Sequence, residues 1–362
     1  MFSPDDSAQM ARALELAERG RYTAHPNPMV GCVLVRDGEV IAEGWHEQAG
    51  EPHAEINALR DAGDRARGAT AYVSLEPCAH HGKTPPCAEA LIAAGVSRVI
   101  AAAEDPFEAV AGRGLQMLRE AGIETEVGLM QVEAQALNEG FISRVARGRP
   151  FVRLKIAASL DGATAMKNGE SQWITGPEAR RDVQNLRAGS GAIMTGIGTV
   201  LADDPSLNVR DVDTRGRQPL RVVLDSRLRM PREARMLTLG GATLVCCTPG
   251  HGGDGLKDTS AEVQEFGAHG DVVNVFEVLA SLAEREINDV LVEAGPGLAG
   301  YLLEKELADE LVIYQSPHIM GSNTRGMFAT PAWETLADRK ALDITDVRRV
   351  GNDTRITARI SG

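Results

Sequence analysis

The stretch that decides this chain reads His53-Ala54-Glu55, then Leu75-Glu76-Pro77-Cys78, then Thr84-Pro85-Pro86-Cys87. One imidazole and two thiolates make three donors, and a tetrahedral zinc ion held by three protein groups keeps its fourth position for water. Glu55, two residues past the histidine, can move protons without being a ligand. Taken singly, a histidine or a cysteine is more often a packed or exposed side chain than a ligand. The joint pattern, His-x-Glu at a helix start with Pro-Cys after a strand, predicts the centre of a zinc hydrolytic deaminase, with His53, Cys78 and Cys87 as ligands and Glu55 as the catalytic acid–base. A non-catalytic zinc site would need four protein ligands and would have no use for Glu55. His80 and His81 lie between the cysteines and are the weaker candidates, because three ligands already complete a catalytic site.

Outward from this stretch the elements alternate. Ser3-Pro4-Asp5-Asp6 starts a helix with Ser3 as N-cap, whose apolar face is Met10, Ala13, Leu14 and Ala17. Residues 29–35 and 40–44 form a hairpin across Arg36-Asp37-Gly38-Glu39. Pro52 precedes a helix carrying Ile56, Ala58 and Leu59, which puts His53 and Glu55 on its first turn. Residues 70–75 make an apolar strand, and Cys87 opens a helix over 88–94, where the helix dipole favours a thiolate. Further strands at 98–103 and 123–127, and helices at 110–121 and 137–146, give a three-layer α/β domain.

Arg147-Gly148-Arg149-Pro150 marks a boundary, dividing the chain into 1–147 and 148–362. Beyond it, strands are expected at 151–159, 192–195, 220–224, 243–247, 289–293 and 310–315. A helix is capped by Thr175 with Pro177 and Glu178 in its first turn, and others span 276–286 and 298–305. Segments 344–350 and 354–360 add an antiparallel edge, so this half is again α/β. Two glycine runs invite a nucleotide. Thr195-Gly196-Ile197-Gly198-Thr199 lacks a third glycine and is weak alone. Gly295-x-Gly297-x-x-Gly300 follows a strand and opens a helix, the context for a phosphate at a helix N-terminus. Its bland alternative is a tight turn that lets helix and sheet pack closely.

Composition narrows the partners. A net charge of −13 over 362 residues disfavours a polynucleotide, which needs many basic groups to displace counterions, and favours a small substrate. No apolar run approaches the ~20 residues of a membrane span. Asp5 and Asp6 stand where a signal peptide would be cationic. Five cysteines without an export signal predict no disulfide framework and a cytoplasmic protein, with Cys32, Cys246 and Cys247 in apolar strand cores.

The segment from His53-Ala54-Glu55 through Leu75-Glu-Pro-Cys-Ala-His-His-Gly-Lys-Thr-Pro-Pro-Cys87 resembles the deaminase domain of the bifunctional deaminase–reductases of riboflavin biosynthesis. The gap between Cys78 and Cys87 is longer than the two residues usual in zinc deaminases and is distinctive of that family. Residues 150–362 resemble its reductase half through Lys155-Ile-Ala-Ala-Ser-Leu-Asp-Gly162, Ser171-Gln-Trp-Ile-Thr175, Leu201-Ala-Asp-Asp-Pro205 and Val292-Glu-Ala-Gly-Pro-Gly297.

The resemblance implies a cytidine-deaminase-like N-terminal domain and a dihydrofolate-reductase-like C-terminal domain. It implies zinc-dependent deamination of 2,5-diamino-6-ribosylamino-4(3H)-pyrimidinone 5′-phosphate, then NADPH-dependent reduction of the ribosyl chain to ribityl. Carried over by position, Asn27, Lys83, Ser171, Arg187, Leu207, Arg210 and Glu293 resemble substrate contacts. Ala157, Trp173, Thr199, Asp203 and the run Gly295, Pro296, Gly297, Leu298, Ala299 and Gly300 resemble cofactor contacts. Ser226 with Arg227 is the choice for the 2′-phosphate, and a homo-oligomer is expected. Asp105-Pro106 and Gly112-Arg113-Gly114 resemble a segment bordering the deaminase pocket, where Phe107-Glu108 departs from the family's Asn-Pro. The alternative is a zinc deaminase alone, with a C-terminal module that binds nucleotide or holds an oligomer together without catalysing anything.

Overall fold

The computed structural model describes residues 2–79, 85–107, 111–251 and 253–360. The chain divides into two compact units, Met1–Gly148 and Arg149–Gly362.

The first unit runs α1 (Pro4–Glu18), β1 (Gly31–Arg36), β2 (Glu39–Trp45), α2 (Ala54–Ala62), β3 (Thr70–Val73), α3 (Cys87–Ala94), β4 (Arg98–Ala101), α4 (Arg113–Glu120), β5 (Glu124–Val127), α5 (Gln131–Leu137) and α6 (Glu139–Arg147). Its sheet has the order β2-β1-β3-β4-β5, antiparallel across β2-β1-β3 and parallel from β3 to β5. Successive residues of a strand point to opposite faces, and the burial follows. Cys32, Leu34, Ala71, Val73 and Val99 pack with α2 and α3 residues such as Ala58 and Leu91, while Val33, Tyr72 and Ile100 pack on the other face with Met10, Ala13 and Leu16 of α1. That is a helix–sheet–helix sandwich.

Ser3 caps α1 as expected, in a reciprocal capping box with Asp6. The carboxylate of Asp6 also accepts from the Tyr72 hydroxyl (2.8 Å) and the Arg98 guanidinium (2.9 Å), tying the first helix to two strands. Two expected helices differ. The one expected over 110–121 begins at Arg113 after Gly112, whose φ of 74° is left-handed; Val110 lies outside the described residues. The one expected over 137–146 is two helices, because Asn138 breaks the run. Its side-chain amide accepts from Met29 N–H (2.8 Å) and donates to Met29 C=O (2.9 Å), so the break anchors the chain just after Asn27.

The second unit runs β6 (Phe151–Ser159), β7 (Ala163–Met166), α7 (Pro177–Gly189), β8 (Ala192–Gly196), α8 (Ile197–Asp203), β9 (Leu220–Leu224), α9 (Arg235–Thr238), β10 (Thr243–Cys247), β11 (Ala261–Glu265), β12 (Ala268–His269), β13 (Val272–Val273), α10 (Val275–Glu284), β14 (Asp289–Glu293), α11 (Pro296–Glu304), β15 (Glu310–Ser316), β16 (Thr324–Gly326), β17 (Leu342–Val350) and β18 (Asp353–Ile360). Nine strands form one sheet, β11-β10-β9-β8-β14-β6-β15-β18-β17, parallel as far as β15 and antiparallel through the last two. Val152, Leu154, Val290 and Val292 face the core built with α10 and α11, whereas Val312 packs on the other face with Ala179 and Val183 of α7. Thr175 is not the N-cap of α7; Gly176 is, and its N–H donates to the Asp353 carboxylate (2.7 Å). A carboxylate from β18 therefore does what a capping hydroxyl was expected to do. Cys32, Cys246 and Cys247 are buried and free. No helix among the described residues is long and apolar enough to cross a membrane.

Candidate active sites

In the first unit three elements converge. His53 is the N-cap of α2, Cys87 is the first residue of α3, and Cys78 follows β3. Their donor atoms all lie within 4.8 Å of one another. His53 Nδ1 is 3.3 Å from Cys87 Sγ and 3.7 Å from Cys78 Sγ. Zinc–nitrogen and zinc–sulfur bonds of about 2.0 and 2.3 Å at a tetrahedral angle put nitrogen and sulfur about 3.5 Å apart, so the donor set fits zinc. The backbone N–H of Cys87, at the positive end of α3, points at Cys78 Sγ (3.2 Å). Hydrogen bonding to Cys87 and His53 draws the Cys78 thiol down toward the thiolate that a metal requires.

Glu55 is 3% exposed, on the first turn of the same helix. Burial raises its pKa above the ordinary carboxylate range, partly offset by the charge of His53. Asn27 reaches the same region: its side-chain nitrogen is 3.0 Å from His46 Nε2, and the His46 and His53 rings meet edge to face at 5.4 Å between centroids. His46 gave no signal in the sequence, since a lone buried histidine after a strand is ordinarily structural. Phe107 is 51% exposed, with its N–H on the Asp105 carboxylate (2.9 Å). Lys83, His80, His81 and Glu108 lie outside the described residues.

In the second unit the expected substrate residues Arg187 and Glu293 meet. Arg187 holds Glu293 through two nitrogens, at 2.6 and 3.0 Å, and gives a third bond to the Asn208 carbonyl at 3.2 Å. Lys155, a residue not singled out as a contact, completes the group with Nζ 3.8 Å from the Glu293 carboxylate. Its place follows from register: Lys155 of β6 lies beside Glu293 of β14, on the sheet face opposite the α10–α11 core. Burial works to raise the Glu293 pKa, but the Arg187 and Lys155 charges overcome it and hold the carboxyl below its ordinary range. Burial lowers that of Lys155. The Arg187 fork is turned onto Glu293, whereas Arg210 is exposed, its backbone N–H held by the Gln184 side chain (3.0 Å). Leu207 is buried in a left-handed turn (φ 43°), directly before Asn208.

Thr199, Asp203, Ser226 and the run from Gly295 come after the carboxyl ends of parallel strands, where open α/β sheets bind ligands. Thr199 and Asp203 lie on α8 after β8, Ser226 follows β9, and Gly295 caps α11 after β14. Ala157, on β6, pairs with Tyr314. The Ser226 hydroxyl accepts from Val273 N–H (2.9 Å), and the next residue, Arg227, is exposed. Ser171 is half-buried, and the Trp173 indole lies 69% exposed with the Arg180 guanidinium 4.6 Å from its ring centroid.

The glycine run separates into two kinds of position. A Cβ on Gly295 or Gly297 would meet nothing within 4 Å, whereas one on Gly300 would lie 2.2 Å from the Ala329 carbonyl oxygen. Ala299 is fully buried in the core. Gly300 and Ala299 are thus packing positions, whereas the space beside Gly295 and Gly297 is open.

Two family models divide the chain between them. The cytidine and deoxycytidylate deaminase zinc-binding region matches residues 3–103, and the RibD C-terminal domain matches residues 150–356. The chain is 51% identical to the riboflavin biosynthesis protein RibD of Escherichia coli over 360 residues, covering 96% of this chain and 97% of that one. It is 42% identical to the RibD of Bacillus amyloliquefaciens over 352 residues, covering 96% and 95%. Among solved structures, Acinetobacter baumannii RibD matches with a TM-score of 0.93 at 45% identity, covering 99% of both chains. A diaminohydroxyphosphoribosylaminopyrimidine deaminase/5-amino-6-(5-phosphoribosylamino)uracil reductase from Thermotoga maritima matches with a TM-score of 0.87 at 34% identity, again covering 99% of both.

Proposed function

The chain belongs to the RibD family, the bifunctional deaminase–reductases of riboflavin biosynthesis, and on that premise we propose that residues 1–147 hold the deaminase and residues 148–362 the reductase. It is a zinc- and NADPH-dependent enzyme acting on a small phosphorylated pyrimidine, and the deaminase-only alternative falls away because the likeness spans both halves. The substrate is 2,5-diamino-6-ribosylamino-4(3H)-pyrimidinone 5′-phosphate, deaminated first and then reduced at its ribosyl carbon. The convergence of His53, Cys78 and Cys87 within 4.8 Å beside a buried Glu55 carries the first half of this reading.

Zinc held by these three residues supplies Lewis-acid activation of water. Glu55 would take one proton from the attacking water and pass it to the ring nitrogen as the hydroxide bonds to the amino-bearing carbon; the new hydroxyl's proton would then pass through Glu55 to the amine as the carbon–nitrogen bond breaks and ammonia leaves, a relay that suits a carboxyl whose burial brings its neutral form within reach. Asn27, fixed through His46, orients the pyrimidine, and the family resemblance makes Lys83 a basic contact for the substrate.

In the reductase, NADPH supplies the hydride. The open backbone at Gly295 and Gly297 lies where a cofactor phosphate meets the start of α11. Ala157, Trp173, Thr199 and Asp203 line the remainder of the cofactor's path, and Ser226 with Arg227 takes its 2′-phosphate. Arg187 keeps Glu293 ionised as an acceptor for a substrate hydroxyl, Lys155 beside it can donate a proton, and Ser171, Leu207 and Arg210 close on the ribose phosphate.

Two copies join through the β17 edge of the nine-stranded sheet. Ile344 and Val347 of β17 are 60% and 59% exposed there, and the unpaired backbone of an edge strand is a template for pairing. The protein works in the cytoplasm, where thiols such as Cys78 and Cys87 stay reduced.

Purified protein given the diamino substrate should release ammonia without NADPH, and with NADPH added it should also consume the cofactor. Ammonia release with no consumption would restore the deaminase-only alternative. Light scattering should report a dimer that Ile344→Lys weakens.

A further inference from the structure

Glu76 stands two residues before the ligand Cys78, and its carboxylate is 4% exposed. It is the acceptor for four backbone N–H groups. Asp105 (3.1 Å) and Gly112 (2.9 Å) donate to Oε2, and Gly114 (2.9 Å) and Leu115 (3.3 Å) to Oε1. The last two open α4, where N–H groups lack helical partners and a negative charge is favoured. A cap needs no more than these. The other two bonds draw in Asp105, which follows β4, and Gly112, which precedes α4, so one carboxylate clasps two separate segments. Both segments also touch the chain around Cys78 directly. Glu76 N–H donates to Ala103 C=O (2.9 Å), and a Cβ on Gly114 would lie 1.9 Å from the Pro77 carbonyl oxygen.

We propose that Glu76 is a positioning residue of the deaminase site, fixing Asp105 and Gly112–Leu115 against the Cys78 segment and so setting the wall that the pyrimidine substrate meets. This rests on the reading above, in which the chain deaminates and Asp105-Pro106 and Gly112-Arg113-Gly114 border the pocket. The metal itself does not depend on the clasp. Cys78 is held separately, by the Cys87 N–H at 3.2 Å and by its approach to His53 at 3.7 Å. Loss of the clasp therefore acts on substrate binding before it acts on zinc.

The chemistry of the clasp offers a clean substitution. An ionised carboxylate accepts at both oxygens, whereas glutamine of the same shape accepts at one and turns an NH₂ toward two N–H donors. Glu76→Gln thus breaks one side of the clasp and keeps the volume. In the full-length protein it should raise the deaminase KM by roughly tenfold or more and leave kcat within about threefold. One zinc per chain should remain, and reductase turnover of the deaminated intermediate should be unchanged. Gly112→Ala, which strains one clasped segment at its φ of 74° and leaves the carboxylate intact, should move KM in the same direction. An unchanged KM in both variants overturns the proposal. So does loss of zinc or of the fold in Glu76→Gln when Gly112→Ala leaves KM alone, because Glu76 would then serve only stability. A wild-type protein that releases no ammonia would instead overturn the functional reading itself.

Discussion

The two sites are built on opposite plans. In the deaminase unit the decisive side chains come from short segments and their donor atoms lie within 4.8 Å of one another, because an ion dictates both residue type and geometry. In the reductase unit Lys155, Arg187 and Glu293 come from two neighbouring strands and a helix, and the two cations share one carboxylate inside the protein. A site organised by a metal concentrates rare residues into a motif. A site organised by a cofactor and a phosphorylated sugar needs shape and paired charge, which common residues far apart in the sequence can supply.

If the plans are separate, each can be broken without the other. The largest effect is expected at Glu55. Glu55→Ala should lower the deaminase kcat by about 10³-fold, within the usual range for a general acid–base, while zinc analysis still finds the metal. Near-normal turnover would remove Glu55 from the proton relay. Next is the buried pair. Arg187→Met leaves Glu293 facing Lys155 at 3.8 Å as its remaining close cation. It should destabilise the reductase unit by about 3 kcal/mol and abolish reduction, with ammonia release intact. Loss of both activities together would show that the units are not separable.

A smaller effect separates the two kinds of glycine. Gly300→Ala, with its Cβ 2.2 Å from the Ala329 oxygen, should cost about 1–3 kcal/mol of stability. Gly297→Ala should melt as wild type but bind NADPH more weakly in a fluorescence titration. Equal behaviour of the two would erase the division of the run. The smallest effect concerns Asp6, far from either chemistry. Burial works to raise its pKa, but bonds from Ser3, Tyr72 and Arg98 outweigh that and set it at about 2 against an ordinary 3.8. A depressed folded-state pKa gives stability that is complete above pH 4 and is lost as pH falls toward 2, here up to about 2 kcal/mol. Asp6→Asn should flatten that acid limb in urea melts of the deaminase unit. A limb unchanged by the substitution would assign the loss to other carboxylates.

The same contrast explains what could be read in the sequence. His53, Glu55, Cys78 and Cys87 were legible because their types are rare and their places at a strand end and two helix starts follow from local pattern. The alternating layers were legible too, since β1 and β6 bury residues on both faces and read as apolar runs. Lys155 was not, because one lysine in an apolar strand gives no hint of a partner on β14. Glu76 was quoted only as part of a motif, since its four donors lie well along the chain and become its neighbours only through the parallel pairing of β3 with β4. The split at Asn138 and the cap at Gly176 were missed for the same reason. Met29 and Asp353, which decide them, are brought there by tertiary structure.

The central claim is that one chain carries two consecutive steps in two sites. Its most direct test is NADPH oxidation by the Glu55→Ala protein, offered first the diamino substrate and then the already deaminated intermediate. No oxidation with the first and wild-type oxidation with the second is the result predicted here. Wild-type oxidation with the diamino substrate, or none with the deaminated one, would contradict it.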